Sequence, residues 1–355
     1  MSYSFAILKN ETRDDHLEWV RACENGKYDI KYKIIDLTRQ DWLDRALDGD
    51  YDCYLTRPPA YSSLFKQLYD ERLYILNTVL RKKIYPSFEE ILIYENKRLL
   101  AYWLKASGIP HAETWIYYDR VEALDFVMSC ELPVVAKTAI GAAGSGVKII
   151  TDRRDLEKYV ERVFSSKGIS RRWGPNLRKE DLWRRSLNRM KNIPGALSYF
   201  RDKYVSSRSD IQTMFVILQK YIKCDFEWRA VRIGDSYFAH KKLRSRGEMF
   251  SGTSRVGWEG PSAGLLDFVR DVCDRRNFFS QAVDIFQDQG GRFLVNELQC
   301  FFGSRNPHQM IVNGKPGRYV YRNSQWTFEQ GNFNTNNSFD LRLEHVIWLL
   351  ENQLF

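Results

Sequence analysis

The chain has no paired cysteines. Its six, at positions 23, 53, 130, 224, 273 and 300, include no C-x-x-C, and its five histidines show no H-E-x-x-H or zinc-ligand spacing. A zinc centre or disulfide framework is therefore not expected, and a reducing cytoplasm is the expected setting. Cys130 and Cys273 fall in helical patterns and read as small buried apolar groups, and no cysteine has the surroundings of a nucleophile. Long hydrophobic runs are also missing. Phe215 to Leu218 and Val346 to Leu350 fall far short of the roughly 20 residues a spanning helix needs. The opening MSYSFAILKNETRDD is charged by Lys9 and then acidic, so neither a signal peptide nor an anchor is expected. Internal repeats and low-complexity segments are absent.

What is present is a chain of 355 residues, 44% hydrophobic and 14% aromatic, long enough for two or three packed units. Its formal charge of +9 is uneven. Between Ser165 and Asp210 stand twelve basic residues against four acidic ones. Two readings are open: a solvated helical insertion, or a landing surface for an anionic partner. Trp173, Trp183, Tyr199 and Tyr204 interleave with these arginines and are able to stack bases, but no nucleic-acid motif accompanies them. An acidic substrate, such as a polycarboxylate, a uronic-acid glycan or an acidic peptide, is the expected partner.

The N-terminal pattern alternates. YSFAILK (3–9), YKIIDL (32–37) and YDCYLTR (51–57) read as short buried strands with helical stretches near 14–25 and 39–48, which predicts a parallel sheet. A long helix is predicted over 61–83 and another over 89–106, ended by Gly108-Ile109-Pro110. Strands are predicted at 114–118, 133–138 and 147–151, then at 215–222, 227–234 and 236–243. Gly234-Asp235 marks a hairpin turn between the last two. A second hairpin, QAVDIFQD with RFLVNEL, turns at Gln289-Gly290-Gly291, and helices are predicted at 260–277 and 339–352.

The segment VVAKTAIGAAGSGVKII (134–150) carries glycines in P-loop spacing, but Val147 and Lys148 stand where that motif has Lys and then Ser or Thr. A glycine loop joining two strands has no helix N-terminus to offer. It can fold over a nucleotide as a flap, with backbone N–H groups reaching phosphate oxygens. Lys137, inside an apolar strand, is costly to bury without an anion. Asp284 and Glu297 lie in equally apolar strands. Glu297 and Gln299, two apart, leave the same face, and an oxygen-only set suits magnesium rather than zinc. An ion pair with an arginine is the competing reading of these carboxylates. In LQKYIKCDFEWR (218–229), the backbone at Lys220 and Ile222 is suited to an adenine edge and Glu227 to ribose hydroxyls.

In this order the pieces resemble the ATP-grasp superfamily of carboxylate-amine ligases, the group that includes D-alanyl-D-alanine ligase. NKRLLAYWLKASGIPHAET looks like the segment before the grasp, VVAKTAIGAAGSGV like its strand lysine and flap, LQKYI like its adenine hinge, EWR like its acidic-x-Arg element, and VDIF…LVNELQ like its metal pair. The resemblance implies an α/β (α+β) chain: a small parallel N-terminal domain (1–86), then two α+β subdomains gripping ATP, one at 87–213 with the flap and basic insertion, one at 214–355 with hinge and metal site. It implies ATP and magnesium as cofactors, two ions being usual and manganese able to substitute. It assigns Lys97, Lys137, Gly141, Gly144, Ser145, Gly146, Gln219, Lys220, Ile222 and Glu227 to the nucleotide, and Asp284, Glu297 and Gln299 to the metal. It assigns Arg229 to the transferred phosphate, a role also open to Lys241, Lys242 and Arg244, with alternation setting Lys241 opposite the other two. Gln299 replaces the usual Asn, and CFFGSRNP replaces the usual Pro-Gly turn. The implied reaction joins a carboxylate to an amine through an acylphosphate; a kinase acting on a hydroxyl and a non-catalytic anion-binding module are the alternatives. The implied partners are acid and amine substrates, with a homodimer as the prior for a soluble enzyme.

Overall fold

The computed structural model describes residues 2–60, 62–141, 146–170, 210–244, 250, 255–302 and 306–355. Gly144, Ser145 and residues 171–209, most of the basic stretch, lie outside the described residues.

The predicted N-terminal alternation forms a parallel sheet. β1 (Ser2–Lys9), β2 (Asp29–Asp36), β3 (Cys53–Leu55) and β4 (Ile84–Tyr85) are ordered β2-β1-β3-β4. They are joined through α1 (Leu17–Cys23), α2 (Trp42–Leu47) and α3 (Ser63–Tyr74). The long helix predicted over 61–83 is shorter than that: α3 passes into one π turn, Ile75–Val79, and Arg81 then takes a positive φ of 55°. That left-handed residue ends the helix and feeds β4.

The helix predicted over 89–106 is two helices, α4 (Phe88–Ile93) and α5 (Lys97–Ala106). A capping box between Ser87 and Glu90 starts α4, while Glu95, at φ 50°, breaks the path and Asn96 caps α5 through Leu99 N–H at 3.3 Å. The break places Lys97 at a helix start rather than midway along one.

The middle sheet is antiparallel, ordered β5-β10-β6-β7, with β5 (Thr114–Tyr117), β6 (Val134–Lys137), β7 (Val147–Ile150) and β10 (Val216–Lys220). α6 (Arg120–Ser129) and α7 (Arg153–Val163) cover one face, burying Val134, Ala136, Leu156 and Val160 together. Strand β10 belongs here, so the chain leaves this sheet after Lys220 and not at 213. The short pair β8 (Ile169–Ser170) and β9 (Ile211–Gln212) brackets the basic stretch.

The large sheet is ordered β15-β14-β11-β12-β17-β16. Its strands are β11 (Phe226–Ile233), β12 (Ser236–Leu243), β14 (Ser280–Gln287), β15 (Phe293–Gln299), β16 (Ile311–Val312) and β17 (Lys315–Arg322), with β13 (Val256–Gly257) on β12 and β18 (Gln325–Gln330) on β17. The Gly234 turn has φ 57°, as the hairpin requires. Helix α8 (Ala263–Asp274), with α4 and α5, covers the back of this sheet through Ile93, Leu100, Leu104, Leu266 and Val269.

The last helix, α9 (Phe339–Glu351), returns to the beginning of the chain. Its Phe339, Leu343, Val346 and Ile347 share a core with Phe5, Ile7, Trp19 and Tyr85, each such side chain contributing about 1.5–3 kcal/mol. The N-terminal sheet is therefore closed by the C-terminus.

Candidate nucleotide and metal site

The middle and large sheets face each other across a cleft lined by Lys97, Val135, Lys137, Gly141, Val147, Ile149, Gln219 to Ile222, Glu227, Lys242, Arg244, Phe250, Phe286, Asn296 and Glu297. Strand alternation makes one wall. Val134 and Ala136 enter the core beneath, so Val135 and Lys137 face the cleft. Lys137 is buried, and its ammonium reaches the large sheet, donating to Asn296 Oδ1 at 2.9 Å. Burial lowers its pKa to about 8, with Glu297 opposing that fall and Lys97 adding to it.

The glycine connection between β6 and β7 is held at both roots. Thr138 N–H donates to Gly146 O at 2.8 Å, and a side chain at Gly146 would collide with Thr138. Ala139 O accepts from Lys97 N–H at 3.1 Å, Lys97 Nζ donates to Gly141 O at 3.3 Å, and Gly141 N–H donates to Glu95 at 3.3 Å. The start of α5 thus fixes the flap's root and sets the Lys97 ammonium 3.6 Å from Glu297. Lys148 is exposed on β7.

Register assembles the other wall. Arg229 on β11 lies opposite Asp284 on β14, which lies opposite Glu297 on β15; Glu227 lies opposite Lys242 on β12. Beyond Asp284 the pairing slips by one residue, leaving Asn296 as the extra residue of a bulge. Regular alternation would send Asn296 and Glu297 to opposite faces; both line the cleft.

These side chains form a closed network. Arg229 grips Asp284 with two hydrogen bonds, 2.9 and 2.8 Å, and also donates to Gln299 Oε1 at 3.3 Å. Lys242 donates to Asp284 at 2.8 Å and to Glu227, which also accepts from Asn296 at 2.5 Å. Burial opposes ionisation of Asp284, but Arg229 and Lys242 outweigh it and hold the carboxyl far below its usual range. Burial pushes the Glu227 carboxyl up, with Lys242 offsetting part of the rise. His240, across from Arg229, is brought down to about 4 by burial and is neutral, so its Nδ1–H donates to Gln309 O at 2.9 Å.

Sequence reasoning left three cations open for one role, and the geometry separates them. Lys242 is joined to Asp284. Lys241 points away from this network, paired with Glu259 and 4.1 Å above the Phe226 ring, so its assignment to the transferred phosphate is not met. Arg244 lines the hinge end of the cleft, donating to Cys224 O and, at 3.4 Å, to Tyr221 OH; it lies by the hinge and not by Asp284. At the hinge itself Gln219 donates to Thr114 Oγ1 at 3.0 Å. Lys220 N–H is already given to Glu113 O at 2.8 Å. Glu95, His240 and Asn296 are the side chains whose place at this site the motifs did not reveal. Only the positive φ of Glu95 and the bulge at Asn296 mark those two, and both are features of three-dimensional structure.

Among the described residues no three His, Cys, Asp or Glu side chains converge into a metal cage. Asp284, Glu297 and Gln299 do present oxygen donors from adjacent strands, and both Asp284 oxygens are committed to cations. That set suits magnesium, which takes one or two carboxylates together with substrate phosphates, more than an ion bound by protein alone. A larger cavity of about 1380 Å³ shares no lining residue with this cleft, and its Arg232, Arg276 and Arg318 are paired with Asp274, Glu89 and Glu329. No described helix is long and apolar enough to cross a membrane.

No family model and no curated protein sequence matches the chain. Solved structures do resemble it. D-alanine–D-alanine ligase from Bacillus anthracis superposes with a TM-score of 0.55 over 99% of this chain and 100% of its own, at 11% identity. An N5-carboxyaminoimidazole synthase from Aspergillus clavatus, solved with ADP, gives 0.54 over 90% and 81%, at 11% identity. A RimK domain ATP-grasp protein from Sphaerobacter thermophilus gives 0.50 over 83% and 90%, at 15% identity. The chain has the ATP-grasp fold.

Proposed function

We propose that this protein is an ATP-dependent ligase that joins a carboxylate to an amine through an acylphosphate, releasing ADP and phosphate. The observation that carries this reading is the meeting of two sheets at one point: Lys137 of the middle sheet donates to Asn296, beside Glu297, in a cleft also lined by Lys242, which donates to Asp284, the partner of Arg229.

Phosphoryl transfer asks for positioning and charge neutralisation more than for a covalent nucleophile. Lys97 and Lys137 are placed to bind phosphate oxygens, the flap to cover them, and Gln219, Ile222 and Glu227 to hold the base and ribose. Arg229 and Lys242 are held by Asp284 in the network described above, and on ATP binding they turn toward the transferred group. Asp284, Glu297 and Gln299 are the residues to hold magnesium, which supplies neutralisation of phosphate charge when bound. A substrate carboxylate oxygen then attacks the terminal phosphorus, expelling ADP. An amine attacks the acyl carbon, expels phosphate and loses its proton, leaving an amide. The surplus of basic residues between 165 and 210 supports an acidic substrate.

The test is ATP turnover with pooled carboxylates and amines, read by mass. The expected product weighs acid plus amine less water, with ADP and phosphate alongside. A stable phosphorylated product formed without any amine would assign a kinase instead.

A further inference from the structure

Beyond the nucleotide cleft, strand β15 runs on into Cys300, Phe301 and Phe302, all buried. Phe301 stacks on Phe339 of α9, with ring centroids 5.7 Å apart. Two guanidiniums lie against this ring pair. Arg57 is 4.9 Å from Phe301 and 5.8 Å from Phe339; Arg342 is 5.2 and 5.0 Å from the same rings. Among the described residues neither arginine has a carboxylate within ion-pair distance, unlike Arg229 and Lys242 beside Asp284.

Burying a guanidinium without a counter-charge is costly. Arg342 is fully buried; it donates to Ser280 Oγ and Asn337 O, but its Nη2 has no partner. Arg57 keeps partial exposure, and its Nε is buried without a partner. The acid acting on Arg342 from a distance is Glu90, which burial pushes up to about 7, so it offers that cation only a partial counter-charge. Lys66 and Asp70 pair with each other.

The Arg57 backbone, by contrast, is firmly fixed. Its N–H donates to Tyr69 OH at 2.9 Å, its carbonyl accepts from Asn10 at 2.8 Å, and Pro58 restricts its conformation from the other side. Asn10 follows β1 and Arg57 follows β3, so both stand at the carboxyl ends of parallel strands, where open α/β sheets bind ligands. Phe301 lies two residues past Gln299, across a bend, which keeps it within about 7 Å along the chain, so this position adjoins the metal-side residues.

We propose that Arg57 binds an oxyanion group, carboxylate or phosphate, of the substrate that is joined at the neighbouring cleft, with Arg342 behind the phenylalanine pair as a positioning residue that adds positive potential. This rests on the ligase reading and gives that substrate a second anionic group besides the carboxylate that is activated. A planar guanidinium laid on aromatic rings, of a residue that keeps partial exposure, is suited to a bidentate oxyanion partner.

The experiment compares thermal midpoints of the wild type, Arg57→Gln and Arg57→Lys, with succinate or inorganic phosphate against chloride at matched ionic strength. The readout is the wild-type shift minus the variant shift, so oxyanion binding in the nucleotide cleft cancels. Succinate or phosphate should raise the wild-type midpoint by about 2 °C or more beyond R57Q, and R57K should retain part of that rise. A response to succinate alone would identify a carboxylate, and to phosphate alone a phosphate. Equal shifts in wild type and R57Q, or none in either, would overturn the proposal. If R57Q does not fold, R57K decides: a rise equal to that of wild type overturns the bidentate site, and a reduced one supports it. ADP in a separate arm reports the cleft: absence of any ADP-dependent rise in the wild type counts against the ligase reading, independently of the oxyanion result.

Discussion

Two sets of buried charges lie along β15 and its continuation, and they are built differently. In the nucleotide cleft, four acids (Glu95, Glu227, Asp284, Glu297) stand with four cations (Lys97, Lys137, Arg229, Lys242), and the chain supplies both signs. Around Phe301, two arginines share two rings, and among the described residues neither has an ion pair. The first arrangement is stable without a ligand and must exchange partners when one arrives. The second waits for its counter-charge. Removing one member should therefore damage the cleft more than the phenylalanine cluster.

The largest effect belongs to Asp284→Asn. It strands Arg229 in a buried position and leaves Lys242 with Glu227 alone, and unfolding by urea should show a loss of about 3–5 kcal/mol, the usual cost of breaking a buried pair from one side. A loss under 1 kcal/mol would mean that the network is solvated, and the contrast with Arg57 would fail.

Next comes Lys137→Ala, which removes a charged donor facing the phosphates. ADP affinity measured by calorimetry should fall by about 10- to 100-fold, the worth of one hydrogen bond to a charged group. Lys148→Ala, on the exposed face of the same loop's far strand, should stay within about twofold of wild type, as surface changes do. Equal losses would return the loop to a P-loop reading.

A pH series is gentler. Burial depresses the Lys137 pKa from its ordinary lysine value to about 8, so in the free protein the ammonium is lost as pH rises through 8. Phosphate prefers the ammonium, so ADP binding should weaken from pH 7 to pH 9, and Lys137→Met should flatten that slope. The same shift acts oppositely on folding: the folded chain gives up this proton before the unfolded chain does, so its contribution to stability rises with pH above 8. Glu297→Gln should do least to the fold, since that side chain is a quarter exposed and its nearest cation is 3.6 Å away. It should abolish the magnesium dependence of ADP binding while leaving the urea midpoint close to that of wild type.

The sequence made the cleft more legible than its surroundings. Lys137 and Asp284 were conspicuous because a charge inside an apolar strand is costly, and alternation correctly sent Lys137 and Val135 to one face. Alternation also set Lys241 apart from Lys242 and Arg244, but choosing between the latter two needed β12 and β14 to be placed on the two sides of β11. The break between α4 and α5 is not legible because apolar spacing continues past Ile93 through Tyr94; Tyr94, extended at ψ 130°, ends the first helix, and Glu95, at φ 50°, turns the chain into the second. The closure of the N-terminal core by α9 was illegible for a different reason: pairing Phe339 with Trp19, more than 300 positions apart, leaves no local pattern. The Arg57 and Arg342 cluster depends on that same closure.

The account stands most directly on where one oxygen goes. Once the pooled screen has identified an acid, that acid is supplied with ¹⁸O in its carboxylate, and the released phosphate is weighed. Attack of the carboxylate on ATP predicts one labelled oxygen in the phosphate for each amide formed. Unlabelled phosphate beside a formed amide would contradict the acylphosphate, and with it the role assigned to the residues around Asp284.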